Sequence, residues 1–115
     1  MQYTLLIYTD PAYFARSQPD ETQKRIAAYN AYFEALKKED VMVSSNRLRP
    51  TSDATTVQVA NGKTNVLNGP YAETREELGG YFLIDVPDLD AAISWAARCP
   101  GSSHGKVEVR PVWTM

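Results

Sequence analysis

Residues 55–68 read TTVQVANGKTNVLN. Short runs of Thr and Val lie on either side of Asn61-Gly62. An Asn-Gly pair suits a two-residue turn with positive φ at both central positions, so the stretch predicts a β-hairpin. The next question is what remains when this hairpin is set aside.

Upstream, residues 2–8 (QYTLLIY) are apolar and aromatic and predict a strand. Residues 9–20 (TDPAYFARSQPD) read as a polar loop whose aromatics, Tyr13 and Phe14, pack on something. Residues 21–40 predict a helix: Ile26, Tyr29, Phe33 and Leu36 make one apolar stripe. Asp20 and Glu21 at its start and Lys37 and Lys38 near its end suit the helix dipole. Residues 41–43 (VMV) begin a second strand. Downstream, residues 81–86 (YFLIDV) predict a strand. A second helix follows, with Asp88 as N-cap and Pro100-Gly101 as its end. The final strand is KVEVRPVW, residues 106–113.

The full order is β-α-β-β-β-β-α-β. With the hairpin taken as an insertion, β-α-β-β-α-β remains, the split βαβ or ferredoxin-like pattern. The fold class is therefore α+β, with both helices on one face of an antiparallel sheet. The chain's 115 residues form one domain, residues 1–115. A chain this long buries about 65% of its unfolded surface, enough for a core without staples.

The second face of that sheet needs a cover. Thr4, Leu6 and Tyr8 alternate with Tyr3, Leu5 and Ile7, and Tyr81 and Leu83 alternate with Phe82 and Ile84, so both faces carry apolar side chains. An exposed apolar face of this kind marks an interface, and a homodimer with its sheets face to face is expected. The alternative is that the hairpin or the C-terminal strand covers the face within one chain.

Composition narrows the function. The hydrophobic share is 43%, the charged share 23% and the net charge −2. This balance argues against direct nucleic-acid binding by broad phosphate neutralisation. Cys99 is the single cysteine, which excludes an internal disulfide. No stretch approaches the roughly 20 apolar residues a membrane span needs. The start MQYTLLIYTDP reads as a strand and not as a leader, so a cytoplasmic location is expected. One His and one Cys fall far short of a metal-ligand pattern, and there is no Gly-rich phosphate loop. Neither a metal nor a cofactor is expected.

The segment GPYAETREELGGYFLIDVPDLDAAISWAARCPG (69–101), followed by HGKVEVRPV (104–112), resembles the YCII-related proteins of the DGPF branch. That branch is named for an Asp-Gly-Pro-Phe turn that runs on as DGPFAETKE. Asn68 stands here in place of the Asp, Tyr71 in place of the Phe and Arg75 in place of the Lys. The resemblance covers nearly the whole chain and implies a dimeric α+β barrel built from ferredoxin-like halves. YCII-type relatives are suspected enzymes with a His-Asp pair near the end of the first strand, and one looks like a dehydrochlorinase of aromatic-ring degradation. This chain has no His there, only Asp10. DGPF-type relatives are associated with extracytoplasmic-function sigma factors, which implies regulation.

The candidate residues follow. His104, the only histidine, lies in a loop beside Gly105 and can act as a general acid or base; a plain surface role is the alternative. Asp10 is either a carboxylate aimed at a pocket or a turn cap. Thr74 to Glu77 reads as a capping box, which leaves Glu73 and Arg75 as contacts for a ligand or partner. Gly79-Gly80 reads as a bulge. Tyr8, Tyr71 and Tyr81 are candidate pocket walls, or interface core. Glu108 and Arg110 share a face of the last strand, where they either pair or meet a ligand carboxylate.

Two functions are consistent with these residues. In the first, a small organic ligand binds in a pocket walled by the tyrosines, with Asp10, Glu73, Arg110 and His104 as polar groups. His104 would drive proton transfer or elimination. In the second, the 73–77 segment docks a protein partner such as a sigma factor.

Overall fold

The computed structural model describes residues 1–114. The chain forms β1 (Gln2–Thr9), α1 (Pro11–Ala15), α2 (Pro19–Lys38), β2 (Met42–Arg47), β3 (Thr55–Ala60), β4 (Lys63–Asn68), β5 (Glu77–Asp85), α3 (Leu89–Arg98) and β6 (Lys106–Pro111). Single 3-10 turns cover Thr51–Asp53 and Pro100–Ser103.

The main sheet has the order β2-β5-β1-β6 and is antiparallel throughout. Each βαβ unit is split by a strand of the other, as the ferredoxin-like pattern requires. Period-2 burial along β1 sends Tyr3, Leu5, Ile7 and Thr9 toward the helices. Phe82 and Ile84 of β5 join them. Tyr32 and Leu36 of α2, and Ala92, Trp95 and Ala96 of α3, complete the core. The Tyr32 hydroxyl donates to the Trp95 carbonyl at 2.7 Å, which ties the two helices together. Its ring meets Phe82 edge-on with centroids 5.2 Å apart.

The stripe expected on α2 is rotated. Tyr32 and Leu36 are buried, Tyr29 and Phe33 are partly buried, and Ile26 is 51% exposed. The N-terminal half of α2 therefore does not close onto the sheet. The helix ends at Lys38, and two residues on Asp40, with a φ of 54°, lets the Val41 N–H return to the Leu36 carbonyl at 2.9 Å.

Several local expectations need correction. The polar loop after β1 contains α1, because Asp10 accepts from the Ala12 N–H at 2.9 Å and Pro11 supplies a fitting φ. Thr74 starts no helical turn: its hydroxyl donates to the Glu76 carbonyl, and Glu77 enters β5. β5 thus begins four residues before Tyr81. The bulge expected at Gly79-Gly80 is present, with Gly79 the extra residue, since Ile7 faces Gly80 while Tyr8 faces Leu78.

The hairpin forms as its turn predicts, with Asn61 at φ 52° and Gly62 at φ 73°. β3 and β4 make a two-stranded sheet of their own. Neither the hairpin nor β6 lies across the open face of the main sheet: the hairpin stands apart, and β6 is an edge strand within the sheet. Val57, Val59 and Val66 share one face of the hairpin and are 59–64% exposed. The molecule measures 48 × 44 × 18 Å as a result.

Candidate functional site

Because the first half of α2 stands off the sheet, a cavity of about 730 Å³ opens beneath it. Its floor is Ile7, Thr9, Gly80 and Phe82 on the helix-facing side of β1 and β5. Phe14, Ile26, Tyr29 and Phe33 form the opposite wall, and Arg47 to Thr51 form the rim. Aromatic and aliphatic walls with a few polar points are the usual make-up of a small-molecule site.

The polar points are unequal. Arg25 is fixed by Ser17 and Thr22, its Nη1 donating to Ser17 Oγ at 3.1 Å. Its guanidinium also lies 4.6 Å from the Phe14 ring centre. Arg49 pairs with Asp53 at 3.0 Å. Arg47 makes no ion pair or side-chain hydrogen bond among the described residues, so its five donors are free for a ligand. Among the described residues Glu77 is the only carboxylate lining the cavity. It accepts from the Thr51 hydroxyl and pairs with none of the three arginines.

A second, smaller cavity of about 300 Å³ lies on the other side of Arg25. Tyr13, Lys24, Ser103 and His104 line it. The His104 ring is stacked on Tyr13 and edge-on to Phe14. Both of its nitrogens are covered and have no hydrogen-bond partner among the described residues. Burial, helped by Arg25, holds its pKa below the ordinary 6.5.

The eight residues singled out from the sequence do not share one cavity. Tyr81 borders the larger one, but its register opposite Leu6 turns its side chain to the sheet face away from the helices, where its hydroxyl accepts from Asn46 Nδ2 at 2.8 Å. His104 lines the smaller. Asp10 and Arg75 meet in an ion pair at 3.1 Å, the Asp10 carboxylate also capping α1. The Ala12 N–H, and after it Arg75, lower the pKa of Asp10. Arg110 pairs with Glu108 on the sheet face away from the helices. Tyr8 is half-buried on that same face, Tyr71 is 88% exposed, and Glu73 is exposed. Cys99 is buried, and burial pushes its thiol pKa up, which suits an inert side chain.

Sequence reasoning missed Arg25, Arg47 and, as a site residue, Glu77. One signal was present: in SSNRLRP, residues 44–50, two arginines alternate at the end of a strand instead of the expected apolar run.

A family model described as the YCII-related domain matches residues 1–115. The chain belongs to the YCII-related domain family. A further YCII-related resemblance is to an uncharacterised protein of Rhizobium meliloti strain 1021. It is 36% identical over 118 residues, covering 97% of this chain and 92% of that one. Among solved structures, this YCII-related chain is similar to the 5-chloro-2-hydroxyhydroquinone dehydrochlorinase of Burkholderia phenoliruptrix AC1100, solved with 2,5-dihydroxybenzoquinone. The TM-score is 0.50 and the identity 14%, over 99% of this chain and 94% of that one. The likeness is one of fold. Among the described residues no helix is long and apolar enough to cross a membrane.

Proposed function

We propose that this YCII-related protein binds a small organic anion with a flat apolar body in the cavity between α2 and the sheet. The observation that carries the reading is Arg47, an unpaired guanidinium at the rim of an aromatic-walled cavity. Phe33, Phe82 and Tyr29 supply surface for a ring, and Arg47 supplies a two-pronged donor for its acid group. The neighbour of like fold acts on an aromatic ring compound, in keeping with a small aromatic ligand. His104 stands outside this site, and binding does not require it. The test is a calorimetric titration with benzoate, for which Arg47→Ala should weaken binding roughly 10- to 100-fold. Benzoate binding unchanged by the substitution would overturn the reading.

The proposal includes a second copy of the chain. Leu6, Tyr8, Tyr81 and Leu83 lie on the open face of the main sheet, and the valines of the hairpin are exposed. Stacking two such faces would cover the first set, and light scattering should return twice the chain mass. Docking of a sigma factor by residues 73–77 has less support. Arg75 and Glu76 are held by Asp10 and Lys106 and Glu77 by Thr51, which leaves Glu73 as the one charge of that segment with no partner among the described residues.

A further inference from the structure

We propose that the ligand of the larger cavity is a hydroxy acid, with its anionic group on Arg47 and its hydroxyl donating to Glu77. The inference rests on the binding reading above and names the class of molecule that site takes.

Glu77 pairs with Thr9 across β1 and β5, and Thr9 is buried on the helix-facing side of the sheet. Thr51 donates to Oε1 of Glu77, while Oε2 accepts no hydrogen bond among the described residues. Glu77 is half-buried in the cavity lining, and a ligand hydroxyl would give its second oxygen a donor.

Arg47 faces Gly80 across β2 and β5, three residues along the strand from Glu77. At about 3.3 Å per residue along β5 and about 4.8 Å between strands, the Arg47 and Glu77 backbones are about 11 Å apart. Their side chains can therefore grip opposite ends of a single substituted ring.

The charges discriminate further. A simple acid would satisfy Arg47 but leave Glu77 Oε2 without a donor and bring a second anion into the same cavity. A neutral phenol would satisfy Glu77 but leave Arg47 unused. A molecule with an acid at one end and a hydroxyl at the other satisfies both groups.

The experiment is calorimetry of the full chain with benzoate, 3-hydroxybenzoate, 4-hydroxybenzoate and methyl 4-hydroxybenzoate. At least one hydroxy acid should bind about tenfold more tightly than benzoate and than the ester. Glu77→Leu should remove that preference. Glu77→Gln keeps the volume and an acceptor but loses the charge, so benzoate should gain affinity and the preference should shrink. Melting temperatures establish that each variant is folded, and Glu77→Gln serves alone if Glu77→Leu is not. Equal affinities for benzoate and the hydroxy acids in the unaltered protein would overturn the hydroxy-acid inference while leaving the anion site standing. A preference that persists in the Glu77 variants would also overturn it. Failure of all four probes to bind would overturn both readings.

Discussion

The rings of Tyr13 and His104 lie face to face, with centroids 4.4 Å apart and planes within 5° of parallel. The imidazole belongs to a small aromatic cluster with Phe14, capped by Arg25, and not to a hydrogen-bonded relay. Such a setting favours the neutral ring. The folded-state pKa of His104 lies below its ordinary value, so the unfolded chain binds the proton more readily. Its contribution to stability is therefore complete above about pH 6.5, shrinks as pH falls below that, and levels off below the folded pKa. His104→Phe keeps a ring and removes the proton site. Melting temperatures of the two proteins between pH 5 and 8 should diverge on the acid side, with the unaltered protein falling faster. Parallel curves would count against a neutral, shielded His104.

The opposite sign applies to Asp10. Its pKa is lowered by the Ala12 N–H and by Arg75, so its contribution is present above the unfolded value of 3.8 and is lost as pH falls through the folded one. Asp10→Asn keeps an acceptor for the cap and loses the charge. Thermal unfolding at pH 7 should show the variant melting lower, and at pH 2 the two should converge.

Gly105 allows a close crossing. A Cβ there would lie 2.2 Å from the Tyr8 carbonyl oxygen, so Gly105→Ala forces backbone against backbone. The expected loss is about 3 kcal/mol, measured by urea unfolding. A loss below about 0.5 kcal/mol would mean that the loop beside β1 can move aside.

Tyr32→Phe deletes one buried hydroxyl and leaves the Trp95 carbonyl without its partner. The penalty should be about 1–2 kcal/mol, with the m-value unchanged. It should not alter benzoate affinity, since Tyr32 does not line the cavity.

Val57→Lys combined with Val66→Lys places two charges on the exposed hairpin face. Within a single chain these positions are solvated, and stability should change by less than about 0.5 kcal/mol. If the hairpin contributes to a dimer, sedimentation will show weaker self-association with little change in the melting point of the monomer. A large fall in monomer stability would mean that the valines are covered within the chain.

Local chemistry made much of the fold legible. Asn61-Gly62 named its own turn, Asp88 named the start of α3 by accepting from Ala91, and period-2 alternation in β1 named the core face. The site was less legible because its parts are far apart in the chain. Arg25, Arg47 and Glu77 line one cavity only because α2 stands off the strands, and no local pattern encodes that gap. Glu77 illustrates the difficulty: Thr74-x-x-Glu77 fits a capping box, yet strand pairing with Thr9 takes Glu77 into the sheet. Asp10 and Arg75 were each notable alone, but 65 residues separate the two halves of their ion pair.

The detached hairpin divides the chain into units that need not open together. Its ladder hydrogen bonds have no apolar layer over them within the chain, so its amide protons should exchange with solvent at a low local opening cost. The amides of β1, at the centre of the main sheet, should exchange only when the whole domain unfolds. A single chain would then report two stabilities, and adding protein should slow exchange in the hairpin only where a second copy covers it.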